Sequence, residues 1–325
     1  MMRVKGIIVP CITFLDKNYN INRELNSLLI KHIILNGADS IFIFGNTGEG
    51  VDLYDKVEQR IEYIDIALKY TKNDVPILIG VFGNNPEGII NQIELIGNKY
   101  ENLNFIIAPP FSKKLKESEI VEFLENILSS VKVSNQFFLY NNPNKFANNE
   151  INENLLKQLL KYPNLKGIKD TTDDINNVKS FLKFFNDDFS IFCGEENNYS
   201  TFLKLIPLEQ RKYSGLVPSI SNISRICYIM FQKALKGEDS QLEKLQEELN
   251  KQNSGIYDDK GPMGREPRGL KQAFYYIYKD MISATEKDTT FVSENLQRSL
   301  EVEIKNMINK TVGELIKSSM ILKSE

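Results

Sequence analysis

The feature that most restricts how this chain can fold is a repeated alternation of short apolar runs with longer amphipathic stretches, eight times over. The runs are Gly6–Thr13, Ser40–Phe44, Pro76–Val81, Leu103–Ala108, Gln136–Tyr140, Leu165–Lys169, Phe189–Cys193 and Tyr213–Val217. They are rich in Ile, Val, Leu and Phe with little polar alternation, the pattern of strands buried on both faces and hence of a parallel sheet. Between them, Arg23–Leu35, Lys56–Tyr70, Pro86–Lys99, Glu117–Val131 and Ile175–Phe185 return apolar residues at three- and four-residue steps, as amphipathic helices do. Pro86 suits a first helical turn, and Asn152 ahead of Leu155, Leu156, Leu159 and Leu160 reads as a capped helix. Eight βα repeats predict an α/β fold of the TIM (β/α)₈ barrel type rather than an open doubly wound sheet.

Such a barrel takes about 250 residues. The chain has 325, so residues 1–222 are assigned to a barrel catalytic domain and 223–325 to a C-terminal helical extension. No strand pattern follows Ser221; Ile223–Leu235, Ser240–Lys251, Leu270–Thr285 and Asn295–Lys317 read as helices, with a Gly/Pro loop at Gly261–Gly269. Forty Lys and Arg against 43 Asp and Glu are interspersed, so no basic stripe marks a nucleic-acid partner. The N-terminal apolar run is too short for a signal peptide, and no segment reaches ~18 uninterrupted apolar residues; a cytoplasmic protein without membrane contact is expected. Cys11, Cys193 and Cys227 lack paired or zinc-type spacing and fit free thiols.

Active sites of such barrels form at the C-terminal ends of the strands, and three endings carry chemistry. The second run closes in Gly45-Asn46-Thr47-Gly48-Glu49-Gly50, where glycines let backbone amides face a ligand and Thr47 adds a hydroxyl, a cradle suited to a small carboxylate. It is neither a dinucleotide fingerprint nor a P-loop; alone it also reads as a tight βα turn. The sixth run ends in Lys169-Asp170-Thr171-Thr172. A lysine at the barrel mouth is placed for desolvation to favour its neutral, nucleophilic amine, although a lone strand-terminal lysine is more often solvated. The fifth run ends in Tyr140-Asn141-Asn142-Pro143, beside the lysine strand, where a phenol can exchange protons. By itself it equally fits a core aromatic.

Other constellations point away from catalysis. His32 is the only histidine and sits in a helical pattern, which excludes a His-based triad or multi-His metal site and suggests a helix-surface or packing role. Asp173-Asp174 and Glu195-Glu196 stand at apparent helix starts and read as caps. Arg265 and Arg268 fall in the Gly/Pro loop and read as solvated. No metal or cofactor is called for.

Taken in order, Gly6-Ile-Ile-Val-Pro-Cys-Ile-Thr13, Gly45-Asn-Thr-Gly-Glu49, Tyr140-Asn-Asn-Pro143, Gly167-Ile-Lys-Asp170 and Gly215-Leu-Val-Pro-Ser-Ile-Ser-Asn222 resemble the dihydrodipicolinate synthase/N-acetylneuraminate lyase family of pyruvate-dependent class I aldolases. The resemblance implies that Lys169 forms an imine with a 2-oxo acid and that Tyr140 relays protons. It further implies that Thr47 with the neighbouring Asn46 and Gly48 holds the carboxylate, that Thr171 and Val217 line the pocket, and that the chain works as a homo-oligomer, a tetramer or dimer. Its substrates would be pyruvate and an aldehyde. Three positions depart from the family pattern. Asn46 replaces a hydroxyl of the relay by an amide, Phe111-Ser112 stands where the synthases carry a second tyrosine, and Lys145 replaces an arginine that grips the aldehyde's carboxylate. These departures, and the Gly-Ile-Lys-Asp-Thr string, lean toward a 2-keto-3-deoxygluconate-type aldolase. The lysine-pathway synthase, N-acetylneuraminate lyase and a non-catalytic 2-oxo-acid sensor stay open as alternatives.

Overall fold

The computed structural model describes residues 3–72, 74–257, 266–282 and 300–323. Eight parallel strands, β1 Gly6–Pro10, β2 Ser40–Ile43, β3 Ile77–Gly80, β4 Leu103–Ile107, β5 Gln136–Asn141, β6 Leu165–Asp170, β7 Ser190–Cys193 and β8 Gly215–Leu216, pair in chain order, and β8 closes on β1. The TIM barrel is therefore present. Its helices are α1 Arg23–Leu35, α2 Val57–Thr71, α3 Pro86–Lys99, α4 Glu117–Ser130, α5 Glu153–Leu159, α6 Ile175–Phe181, α7 Tyr199–Leu205 and α8 Ile226–Leu235, followed by α9 Leu242–Ile256, α10 Glu266–Ile277 and α11 Val302–Lys317. Asparagine and aspartate caps start several of them: Asn22, Asn85, Asn152 and Asp174 each accept from a backbone N–H of the first turn. No helix among the described residues is long and apolar enough to cross a membrane.

Most strand and helix limits shift by a few residues from the sequence reading, and three of the shifts are instructive. β1 stops at Pro10 rather than Thr13, because beyond it side chains replace the backbone ladder: Ile12 N donates to Asn222 Oδ1 at 3.0 Å and Phe14 N to Asn26 Oδ1 at 3.0 Å. β8 is only two residues long, although Val217 N still reaches the Cys193 carbonyl at 2.8 Å, and Asn222 Nδ2 reaches across the seam to the Pro10 carbonyl at 2.8 Å. The helix expected from Leu270 begins at Glu266, inside the supposed Gly/Pro loop. Pro267 then occupies the first turn, where a missing N–H is no loss, and Gly269 lies so close to the Ile256 carbonyl that a Cβ would stand 1.9 Å from it. Arg265, Thr285 and Asn295 lie outside the described residues.

Two layers of apolar side chains follow from strand alternation. The outward-facing residues of the strands pack with the helices in one large cluster, while Ile8, Phe42, Ile106, Phe138 and Phe192 fill the barrel interior. The interior is a packed plug below and a site above.

Candidate active site

Register decides what faces what at the barrel mouth. Phe137 pairs with Leu165, but Phe138 pairs with Gly167, so β6 carries one extra residue, Lys166, in a bulge. The bulge sets Tyr140 opposite Lys169 and Asn141 opposite Asp170. Along β6, Gly167 and Lys169 share the inward face while Ile168 packs outward with the helices. Gly167 leaves room for the Phe138 ring, which a Cβ would meet at 2.9 Å, and Phe138 stacks on Phe192 at 5.3 Å to form the floor below the lysine.

Lys169 is buried, with Nζ 4.0 Å from the centroid of the Tyr140 ring and 5.2 Å from that of Phe42. Tyr140 is wedged between Phe82 and Phe146, with ring centroids at 5.7 and 5.4 Å. Its hydroxyl accepts from two amides, Asn46 Nδ2 at 3.3 Å from β2's loop and Asn142 Nδ2 at 3.0 Å from its own chain segment. Asn142 escaped the sequence reading, although its place two residues beyond Tyr140 puts it on the same strand face. The opposite wall is Gly194, where a Cβ would lie 2.7 Å from Lys169 Cε and 2.1 Å from Thr171 Oγ1; only glycine admits both side chains. Thr171 Oγ1 is buried without a hydrogen-bond partner beside the lysine. Val217 is buried and belongs to the same inner cluster as Tyr140 and Phe42, its N–H bound to the Cys193 carbonyl at 2.8 Å.

The Gly45–Gly50 loop is built tightly. Phe44 and Glu49 adopt positive φ, 59° and 56°, an unusual conformation for side chains of their size. Gly50 and Gly80 both press on the Phe44 carbonyl, which a Cβ would approach to 1.8 and 2.2 Å. Beneath the loop, buried Arg60 stacks on the Phe44 ring at 4.3 Å and donates to the carbonyls of Gly80 at 2.5 Å and Gly50 at 3.4 Å. Burial pulls the Arg60 pKa down to about 10. Glu49 forms an ion pair with Lys271 of α10 at 2.8 Å, both side chains essentially inaccessible, and burial likewise lowers the Lys271 pKa. Thr47 Oγ1 hydrogen-bonds Ser219 Oγ at 3.0 Å. The Gly48 amide, expected to face a ligand, is instead taken up by the Gly45 carbonyl at 3.1 Å. The role of Gly48 is close approach, since a Cβ there would meet the Cys11 carbonyl at 2.5 Å.

Several expected roles change. Glu195 does cap the following 3-10 turn, but Glu196 is buried and accepts from Tyr257 Oη, Asn253 Nδ2 at 2.6 Å and Ile220 N at 3.1 Å, tying that turn to α9 and to the segment carrying Ser219. Capping fails for it because its carboxylate faces the protein interior rather than the helix end. His32 is fully buried with Nδ1 2.8 Å from Tyr278 Oη, and burial lowers its pKa to about 4, so it packs as a neutral ring and has no surface role. Arg268 is a buried residue of α10 rather than a solvated loop charge. Asp174 caps α6 as expected, the three cysteines are free and buried, and Lys145 is exposed in the turn after β5. On the outer face, Asp170 accepts from Asn141 Nδ2 at 2.7 Å and Thr172 Oγ1 at 2.7 Å. Burial raises its pKa to about 7.

A closed (β/α)₈ barrel with a buried lysine and tyrosine paired at its mouth, beside a rigid glycine loop, defines the class. The sequence model of the dihydrodipicolinate synthetase family matches residues 3–308. The chain belongs to that family and is an enzyme of its lyase and aldolase kind. Among curated relatives, it is 22% identical to the 4-hydroxy-tetrahydrodipicolinate synthase of Porphyromonas gingivalis over 90% of this chain and 96% of that one. It is 28% identical to the 2-dehydro-3-deoxy-D-gluconate/2-dehydro-3-deoxy-phosphogluconate aldolase of Picrophilus torridus over 60% of this chain and 70% of that one. The match to the synthase of Wigglesworthia glossinidia brevipalpis, at 26% identity, covers 62% of this chain and 65% of that relative. The fold is shared with YagE of E. coli K12, solved in complex with pyruvate, at a TM-score of 0.79 and 20% identity over 97% of this chain and 99% of that one.

Proposed function

We propose that the chain is a Schiff-base aldolase that makes or cleaves a 2-oxo acid through a lysine-bound pyruvate enamine. The observation that carries the reading is the buried Lys169 amine 4.0 Å from the Tyr140 ring, the two paired in register on adjacent strands. Lys169 attacks the 2-oxo carbon, and loss of water from the carbinolamine leaves an iminium. The iminium draws electrons from the adjacent carbon, so a bond to that carbon breaks to give an enamine, or forms in the reverse direction. Tyr140 supplies and removes the protons these steps need. Thr47, with Asn46 beside it, holds the substrate carboxylate, and Thr171 and Val217 line the pocket, Thr171 offering its unpartnered hydroxyl to the substrate.

Borohydride reduction in the presence of pyruvate is the test. A pyruvyl adduct on Lys169 is expected, and an unmodified lysine under conditions that label a family control overturns the proposal. For the second substrate the reading favours a 2-keto-3-deoxy-sugar acid, supported by similarity to the Picrophilus aldolase and by Lys145 standing where the synthases carry arginine. The synthase relatives support a second reading, condensation of pyruvate with aspartate semialdehyde. Assays on 2-keto-3-deoxygluconate, N-acetylneuraminate, and aspartate semialdehyde with pyruvate separate the readings by which one turns over.

A further inference from the structure

The Tyr140 hydroxyl sits between two side-chain amides, and this is a chemical statement about where its proton can go. A hydroxyl neighbour both donates and accepts through one oxygen, so it can pass a proton onward. An amide nitrogen only donates. Asn46 Nδ2 at 3.3 Å and Asn142 Nδ2 at 3.0 Å both point N–H groups at the phenolic oxygen, filling its acceptor positions and leaving its own proton for a third partner. Among the described residues no side-chain hydroxyl hydrogen-bonds Tyr140; the nearby Thr47 hydroxyl bonds that of Ser219. Both asparagine contacts suit phenol and phenolate alike, because the oxygen accepts from them in either state.

We propose that Asn142 is a positioning residue which, with Asn46, holds Tyr140 so that it exchanges its proton only with the bound substrate or with water, with no side-chain relay leading away. The inference rests on the aldolase reading above. In cleavage, the carbinolamine hydroxyl takes the phenol proton and leaves as water, giving iminium and phenolate. The phenolate then removes the proton of the substrate's C4 hydroxyl as the C3–C4 bond breaks, its electron pair passing into the iminium to form the enamine and free the aldehyde. The phenol then gives C3 a proton, its own or one exchanged with water, which restores the iminium and the phenolate. Water adds to that iminium while the phenolate takes one of its protons, and collapse of the carbinolamine releases pyruvate and the lysine amine. No oxidant, reductant or further acid enters. Asn142 lies on the strand face that carries Tyr140, is itself nearly buried, and follows directly from the register that places the phenol over Lys169.

Deuterium uptake at C3 of pyruvate in D₂O, followed by NMR, tests this without knowledge of the second substrate. Asn142→Leu removes the N–H donor at similar volume and is expected to slow exchange at saturating pyruvate at least about tenfold, while half-saturation by pyruvate moves less than about threefold. Asn142→Ser offers a hydroxyl that can hold the phenol and open a path to solvent; its exchange is expected to exceed the wild-type rate. Wild-type exchange in the leucine variant, or an equal slowing in both variants, overturns the inference. Should the leucine variant not fold, the serine variant decides alone, by exchange above or below wild type. Borohydride trapping on wild-type Lys169 is run alongside. If no adduct forms there, the aldolase reading has failed; if the adduct forms and the leucine variant exchanges normally, only the role of Asn142 has failed.

Discussion

The two loops that meet over Lys169 are held in different ways. The β2–α2 loop, Gly45–Gly50, is clamped from below by Arg60, from the side by Gly80, and from the C-terminal helices by the buried Glu49–Lys271 pair. The β5–α5 loop after Tyr140 has a buried hinge in Asn142 and Phe146, but its tip is exposed at Asn144, Lys145 and Asn148. A clamped loop suits the part of the substrate that never varies, the 2-oxo acid carboxylate, because preorganised donors act without reorganising. An exposed tip suits the part that does vary. Under the proposed function, the division of labour is between a fixed carboxylate cradle and an adaptable rim, with Lys169 and Tyr140 at the boundary.

The largest effects are expected at that boundary, where neither loop can compensate. Lys169→Ala should abolish imine formation and turnover while the barrel stays folded, since apolar strands supply its core; a circular dichroism spectrum and melting curve like wild type with zero borohydride labelling is the expected result. Turnover near wild type would show the nucleophile misplaced. Tyr140→Phe keeps the ring packing against Phe82 and Phe146 and removes only the oxygen. A fall in kcat on the order of 10²–10⁴ is expected, near the upper end because among the described residues no other hydroxyl bonds to the phenol, with pyruvate affinity changed far less. Near-normal kcat would reduce Tyr140 to a packing residue.

Lys271→Met probes the clamp. It removes the ammonium from beside the buried Glu49 carboxylate, a loss of about 3–5 kcal/mol for such pairs, and it should also weaken pyruvate binding by loosening the loop at its positive-φ residue. Glu49→Gln combined with Lys271→Met removes both charges and should recover much of the stability in denaturant titrations. If the single variant unfolds like wild type and binds pyruvate normally, the clamp carries no energy and the contrast between the loops collapses.

The barrel was legible in the sequence because parallel strands buried on both faces leave continuous apolar runs that no other element produces at this regularity. The position of Lys169 and Tyr140 was legible because the inward residues ending such runs face the mouth, whereas Asn141 and Asp170, one step on, face outward. The clamp was not: Glu49 and Lys271 lie 222 residues apart, and nothing local to either announces the other. Arg60 reads as an ordinary helix-surface charge until the loop above it is seen. The register bulge that aligns Tyr140 with Lys169 left no trace in composition, since Lys166 could equally extend a regular strand. Glu196 misled for a related reason, because an acidic pair at a helix start looks like a cap whichever way each side chain turns.

Asp170 joins the two strands behind the boundary, and its titration gives a test of smaller size. The groups facing its carboxyl are Asn141, Thr172, Asn177 and the like-charged Glu150, with Cys193 on the neighbouring strand. Burial raises its pKa from 3.8 to about 7 in the folded protein. Between those values the native state holds a proton that the unfolded chain releases, so this group's contribution to stability is full below about pH 4 and is lost as pH rises through about 7. Comparing wild type with Asp170→Asn cancels the other titrating groups. The Tm difference should favour wild type most at pH 5 and shrink by pH 8; a pH-independent difference would show that Asp170 does not titrate in this window.

The smallest effect is expected at the exposed rim, and it is the one that isolates the second substrate. Lys145 is a solvent-exposed ammonium, so its attraction for an anionic substrate is that of a point charge in high dielectric, weak and screened by salt. Lys145→Ala should leave pyruvate-dependent C3 exchange and borohydride labelling of Lys169 at wild-type levels, because the proposed carboxylate cradle lies on the other loop. It should raise KM for a carboxylate-bearing second substrate a few-fold at low ionic strength, and the difference should fade as salt is added. Lys145→Arg should lower that KM if the substrate's anionic group can engage both guanidinium N–H donors. Equal KM values for wild type and the alanine variant at low salt, on every anionic substrate that turns over, would place the specificity elsewhere on the mouth and return attention to Thr171, whose buried hydroxyl faces the lysine from the opposite wall.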